Sequence, residues 1–275
     1  MADSTVNANA KKAQSQAIEL FVSDIHLQPS LPRTTQAFID FLRQKAGKAQ
    51  QLYLLGDLFE SWAGDDDIAA PYHRQIAAAI KAVSAVGVVV FWIGGNRDFL
   101  IGEGFAKATG IILLQEPFVA EIAGQRIALV HGDAQCIDDH AYMAFRAQVR
   151  DPDWQRSFLA MPLTQRKAII DGMRTGSREA QRTKSYEIMD VNAAAIASLF
   201  EETGTTIMVH GHTHRPATHY YELGGKRFVR YVLPDWDWDT EPARGGWLAI
   251  NADGTFQRFN FDGAALSAQS TCGSN

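Results

Sequence analysis

The sequence predicts an α/β fold on three observations: short apolar runs recur along the chain, amphipathic helical patterns separate the first three, and the last third reads as strands. The runs are 18–23 (IELFVS), 51–55 (QLYLL), 88–93 (VVVFWI), 126–130 (RIALV) and 205–209 (TTIMV), each succeeded by a polar turn. Apolar stretches this short, rich in β-branched and aromatic residues, suit buried strands. Residues 34–48 place Phe38, Phe41 and Leu42 at helical spacing, and residues 72–86 do the same with Ile76, Ile80 and Val83. Near the C-terminus, 227–233 and 246–261 read as strands, with Asp253-Gly254 as a hairpin turn. There is no internal repeat.

With 275 residues, 46% hydrophobic and 21% charged, the chain suits one large domain carrying an insertion. A net charge of −5 argues against a protein built around nonspecific nucleic-acid binding, and no nucleic-acid or obligate protein partner is expected. Cys136 and Cys272 form no CxxC pair, so neither a disulfide framework nor a thiolate zinc site is indicated, and the chain reads as cytoplasmic. Residues 1–16 lack the apolar segment of a secretory signal, and no later run would span a bilayer, which leaves peripheral membrane contact open. Both 1–16 and 264–275 are small and polar and are expected to be disordered tails.

The residues just beyond each predicted strand carry the chemistry, because ligands of α/β folds bind past the carboxyl ends of strands. The successive ends read Ser23-Asp24-Ile25-His26, Gly56-Asp57-Leu58-Phe59-Glu60, Gly95-Asn96-Arg97-Asp98, His131-Gly132-Asp133 and Gly211-His212-Thr213-His214. Any one is an ordinary polar turn, but five in succession deliver carboxylates, a carboxamide and imidazoles to one edge. If the backbone there is extended, residues two apart face the same side, which pairs Asp24 with His26 and His212 with His214. Asp57 can bridge two cations with its two oxygens, while Asn96 adds a carbonyl and His131 a nitrogen. The set describes a two-metal centre. Oxygen and nitrogen donors without sulfur suit two Mn²⁺ better than Fe or Zn.

In order and spacing these motifs resemble those of the calcineurin-like metallophosphoesterases: D-x-H, G-D-x-x-E/D, G-N-H-D, a His and G-H-x-H. The resemblance implies a sandwich of two β-sheets flanked by helices, and hydrolysis by a hydroxide that two metals activate. It also implies a ligand set: Asp24, His26, Asp57 and His214 around one ion, and Asp57, Asn96, His131 and His212 around the other. His210 is not carried over and is expected to pack or to support a ligand. Where the family pattern has His after the Asn, this chain has Arg97. A guanidinium cannot give up a proton at neutral pH but can neutralise phosphate oxygens, so a leaving group that is itself a phosphate is favoured.

Over about residues 17–262 the chain further resembles the UDP-2,3-diacylglucosamine hydrolases of lipid A biosynthesis, through GDLFESWAGDDD, GGNRDFL, HGDAQCIDD, SREAQRTKSYEIMDVN and HGHTHRP. That resemblance implies a nucleotide-activated diacyl sugar as substrate, met at the cytoplasmic face of the inner membrane. Hydrolysis at the α-phosphorus would give UMP and the lipid monosaccharide phosphate. It implies substrate contacts at Asn96, Arg97, Asp139, Ser177, Lys184 and His212, and at Gln181, which stands where an Asn is expected. Arg97 is the implied catalytic residue. PDWDWD (234–239) departs from the pattern and receives no role.

The segment from about 137 to 190 mixes arginines and lysines with Trp154, Phe158, Leu159, Ile170 and Met173. It reads either as a solvated helical hairpin with a buried stripe or as a cap over the metals. As a cap, its basic residues would meet the diphosphate and its apolar ones acyl chains or a bilayer. Trp62, Phe99 and Leu100 belong either to that surface or to the core. No dinucleotide fingerprint, Walker lysine or Ser/Cys nucleophile motif occurs. The alternatives are a metallophosphoesterase for a soluble nucleotide, a phosphoprotein or a nucleic-acid end, and a scaffold of the same fold without catalysis.

Overall fold

The computed structural model describes residues 17–183, 190–266 and 270–272; the expected tail 1–16 lies outside the described residues. In chain order come β1 (Ala17–Val22), α1 (Pro32–Gln44), β2 (Gln51–Leu55), α2 (Pro71–Ala85), β3 (Val89–Ile93), α3 (Glu103–Thr109), β4 (Ile112–Leu113), β5 (Phe118–Ile122) and β6 (Gln125–Leu129). Next are α4 (His140–Arg150), α5 (Pro152–Leu159), α6 (Leu163–Thr183), α7 (Ala193–Thr203), β7 (Ile207–His210), β8 (Ala217–Leu223), β9 (Lys226–Val232), β10 (Gly246–Asn251), β11 (Phe256–Asn260), β12 (Ala265–Leu266) and β13 (Ser270–Cys272).

The strands form two sheets, ordered β12-β11-β10-β1-β2-β3-β4 and β13-β8-β9-β7-β6-β5. In the first, β1 to β4 run parallel and β10 joins β1 antiparallel; in the second, β6, β7 and β9 are parallel neighbours. Alternation along the strands explains the layering. On β1 and β2, Leu20, Val22, Leu52 and Leu54 face the helices, where they meet Phe38, Phe41 and Leu42 of α1 and Ile76, Ile80 and Val83 of α2. Phe21, Tyr53 and Leu55 point the other way, onto Ile127, Leu129 and Val209 of the second sheet. The outer face of that sheet, Ala128, Val130 and Met208, is covered by Ile196, Leu199 and Phe200 of α7. Two apolar faces per strand account for the continuous runs in the sequence.

The five runs read as strands become β1, β2, β3, β6 and β7 within one or two residues. Residues 34–48 divide at Lys45, α1 ending at Gln44 and a 3₁₀ turn covering Ala46–Lys48. Strands β4, β5 and β8 were not read from the sequence: β4 and β5 are edge strands, and β8 is partly exposed. Beyond Ala264, where little structure was expected, Ala265–Leu266 pairs with β11 and Ser270–Cys272 with β8.

Candidate metal centre

Asp24 follows β1, Asp57 follows β2, Asn96 and Arg97 follow β3, His131 follows β6, and His212 and His214 follow β7, so the parallel strands deliver them to one edge. Asp24, His26 and His214 place ligand atoms within 4.8 Å of one another, as do Asp24, Asp57 and His131. His26 Nε2 is 3.2 Å from His214 Nε2 and 4.0 Å from Asp57 Oδ2, and His131 Nε2 is 3.7 Å from Asp57 Oδ1. Asn96 Oδ1 lies 3.0 Å from both His131 Nε2 and His212 Nδ1. All seven residues predicted as ligands therefore converge, and Asp24 reaches both groups as Asp57 does.

The backbone that brings them together is not the extended one the spacing suggested. Asp24, His26, Asp57, His212 and His214 have φ of 53°, 51°, 53°, 66° and 54°. That left-handed conformation costs a side-chain-bearing residue about 1 kcal/mol or more. Among the described residues only one other non-glycine shares it, Ala123. Sharp left-handed turns, rather than strand pleat, turn each pair inward. Gly95 and Gly211 are required by close approach, since a Cβ would overlap the Asp57 carboxylate at the first and the Asp24 carboxylate at the second.

Supporting groups fix which nitrogen His131 and His26 present. His131 Nδ1 donates to the Leu55 carbonyl at 2.9 Å, leaving Nε2 for the centre. His26 Nδ1 lies 2.8 Å from Glu60 Oε2, and His214 Nδ1 lies 3.8 Å from Asp235 Oδ2, itself engaged by Arg244 at 3.1 and 3.2 Å. Asp98, fully buried, accepts from the backbone N–H groups of Leu58 and Gly95 at 2.7 and 3.0 Å and thereby ties the Asp57 loop to the Asn96 loop. Glu116 accepts from the His131 N–H. None of these roles was assigned from sequence, although Glu60 and Asp98 lie inside the quoted motifs.

The field at the centre favours positive charge. Burial alone would lower the His131 pKa, but Asp57, Asp24, Asp133 and Glu116 around it raise it to about 9. Burial would likewise raise Asp24, yet His214, His131 and His26 hold it well below the ordinary carboxylate range. Asp24 Oδ1 is buried and meets no hydrogen-bond partner in the described residues, facing His214 Nε2 at 3.4 Å. A divalent cation satisfies both that oxygen and the clustered carboxylates. A cation holding two imidazoles at about 2.0–2.1 Å keeps their nitrogens roughly 3 Å apart, which the His26–His214 separation matches.

The centre opens into a cavity of about 660 Å³ whose walls include Trp62, Phe99, Phe145, Trp154, Phe158 and Met173. Of the apolar cap side chains named from sequence, Trp154, Phe158, Ile170 and Met173 face it, while Leu159 points to solvent. Trp62 is both core and wall, being buried and stacked on Phe59. Several of the cap's basic residues are engaged by the main body. Arg146 pairs with Asp133 and Glu116, Arg166 with Asp66 and the Ala63 carbonyl, Lys167 with Asp67, and Arg174 with Glu60. Arg150 donates to the Gly94 and Gly95 carbonyls. They fasten α4 and α6 to the main body because acids and carbonyls there are the nearest partners.

Of the predicted substrate contacts, Asn96, Arg97, Asp139 and His212 line this cavity. Asp139 also caps α4, accepting from the Tyr142 N–H at 3.1 Å. The side chains of Ser177 and Gln181, and the whole of Lys184, lie outside the described residues. His210 is buried, donates from Nδ1 to the Gly211 carbonyl and accepts from Arg230 at Nε2; burial keeps its pKa well below the usual range. The PDWDWD stretch braces the centre: Trp236 N–H donates to the Asp24 carbonyl, Asp235 faces His214, and Asp239 accepts from the N–H groups of Arg33 and Thr34 at the start of α1.

A family model for the calcineurin-like phosphoesterases matches residues 20–216. A protein of Bordetella parapertussis called UDP-2,3-diacylglucosamine hydrolase is 47% identical over 236 residues, 84% of this chain and 91% of its own. One of the same name from Escherichia coli O7:K1 is 47% identical over 234 residues, 85% of this chain and 95% of its own. Among solved structures, a Vps29 mutant from Entamoeba histolytica superposes with a TM-score of 0.43 at 16% identity, covering 90% of this chain and 95% of that one.

Proposed function

The chain belongs to the calcineurin-like phosphoesterases and is a metal-dependent hydrolase, and from that premise we propose that it cleaves the pyrophosphate of UDP-2,3-diacylglucosamine. The products are UMP and 2,3-diacylglucosamine 1-phosphate. One observation carries the substrate class: the converging ligand residues open directly into a large chamber walled by Trp62, Phe99, Trp154, Phe158 and Met173. A nucleobase would cover only part of so extended an apolar lining, whereas acyl chains fill its whole length.

Bound divalent ions supply Lewis acidity and an activated water, and the donor set favours two Mn²⁺. Asp24, His26, Asp57, Asn96, His131, His212 and His214 would hold them. Arg97 is seated by its backbone N–H on Asp57 Oδ1 at 2.8 Å, and its Nε is buried without a hydrogen-bond partner in the described residues. A donor left in that condition at the cavity wall suits a phosphate oxygen on which charge grows during cleavage. Arg97 cannot donate a proton, and the departing sugar phosphate needs none. We place attack at the α-phosphorus, with the sugar phosphate leaving toward the cap and Asp139, Ser177, Gln181 and Lys184 contacting the substrate.

The rim of the chamber supports contact with a membrane. Phe145 and Met173, on the chamber wall, are 37% and 38% exposed where acyl chains would enter, and Leu159, on the outer side of the cap, is 41% exposed. No described helix is long and apolar enough to cross a bilayer. The test is hydrolysis of UDP-diacylglucosamine by the Mn²⁺-loaded protein in ¹⁸O-labelled water. The expected result is UMP carrying the label. Label in the sugar phosphate would reverse the orientation, and faster cleavage of soluble nucleotide diphosphates than of the lipid would replace the lipid reading altogether.

A further inference from the structure

A second cavity, of about 420 Å³, touches the apolar chamber only at His214, which lines both. The two hollows therefore flank one imidazole of the metal centre. Their chemistry differs. The second is walled by Pro216, Pro234, Trp247 and Phe259 and carries the guanidinium groups of Arg244 and Arg258. Arg244 is occupied by Asp235. Arg258 is not so compensated: its Nε meets Thr218 Oγ1 at 3.3 Å and its Nη2 the Ala217 carbonyl, and no carboxylate among the described residues pairs with it. It is largely buried, and that burial pulls its pKa down to about 10. A guanidinium held between sheets without an anion calls for a ligand rich in acceptors.

A pyrophosphate cleaved at the metal centre has two arms, and the apolar chamber suits the acylated one. The other arm, a nucleoside 5′-phosphate, offers carbonyl acceptors on a flat ring and brings negative charge. A hollow with proline and aromatic walls, donors in excess of acceptors and a direct boundary with the centre at His214 fits that arm. Its volume falls in the usual range for small-molecule sites. We propose that this second cavity is the nucleoside subsite, in which Arg258 donates to the uridine 5′-phosphate portion of the substrate. The proposal rests on the substrate reading above and assigns Arg258 as a specificity residue.

Binding of UMP to the Mn²⁺-loaded protein tests it by calorimetry, with the wild type, Arg258→Ala and Arg258→Lys compared. Loss of one charge-assisted donor should raise the UMP Kd about ten- to a hundredfold in Arg258→Ala, with partial recovery in Arg258→Lys. Affinity for the lipid 1-phosphate should stay within about twofold of the wild type. Because Arg258 also ties down β8, photocrosslinking of 5-iodo-UMP to the wild type gives a readout that needs no variant, and the label should fall on the peptide holding Trp247 or Phe259. Unchanged UMP affinity in a folded Arg258→Ala, or label on Trp62, Phe99 or Trp154, would overturn the assignment. If the wild type cleaves UDP-diacylglucosamine while either of those results is found, only the subsite falls. If it neither cleaves that substrate nor binds UMP, the substrate reading falls with it.

Discussion

Glu60 Oε2 lies 2.8 Å from His26 Nδ1, and Arg174 of α6 pairs with the same carboxylate from the cap side. A carboxylate behind a ligating imidazole orients the ring and raises its basicity. Glu60→Gln should therefore weaken Mn²⁺ binding about ten- to a hundredfold, read by metal titration of the purified protein. Unaltered affinity would mean that His26 is positioned without it.

Asp57 is placed between the two ligand groups, 4.0 Å from His26 Nε2 and 3.7 Å from His131 Nε2. Asp57→Asn should lower metal content and cost at least about a hundredfold in rate. Two bound ions with near-normal turnover would remove Asp57 from the centre.

Arg97→Ala should behave differently, reducing turnover roughly a hundredfold at unchanged metal content, since the side chain serves phosphate charge rather than coordination. Metal analysis beside the kinetic assay separates the two cases.

Leu159, on the solvent side of the cap, should govern contact with lipid surfaces. Leu159→Asp should weaken cosedimentation with anionic vesicles several-fold, while detergent-dispersed substrate is still turned over. An unchanged vesicle affinity would point to another face.

Glu19 supplies a pH test independent of the metals. Buried on β1, its carboxyl is pushed up to about 7 from 4.5 by desolvation. The folded state then binds the proton more tightly than the unfolded one, so stability is full below about 4.5 and declines as pH rises through 7. Glu19→Gln should raise Tm by several degrees at pH 8 and little at pH 4.5, checked by melting scans across that range.

How far these features could be read in advance depended on how local they are. Phe38, Ile76 and Ile80 announce their burial through helical spacing, and each ligand stands directly after an apolar run. Glu116, Asp235 and Arg244 could not be recognised, because each touches the centre only through the fold and none sits in a metal motif. The carboxylates that engage the cap cations were hidden for the same reason: Asp66 and Asp67 lie about 100 residues before Arg166 and Lys167. The left-handed turns were hidden because Asp and His carry no signal as strong as glycine's for that conformation.

The fastening of the cap has a consequence for how substrate arrives. Arg174 and Glu60 are only 12% and 15% exposed, so salt screens their ion pair weakly, and removing one partner would leave the other charge buried at a cost of about 3–5 kcal/mol. That tie holds α6 against the loop after β2, and it leaves the half-exposed Phe145 and Met173 as the edge at which a long apolar tail would first meet the chamber.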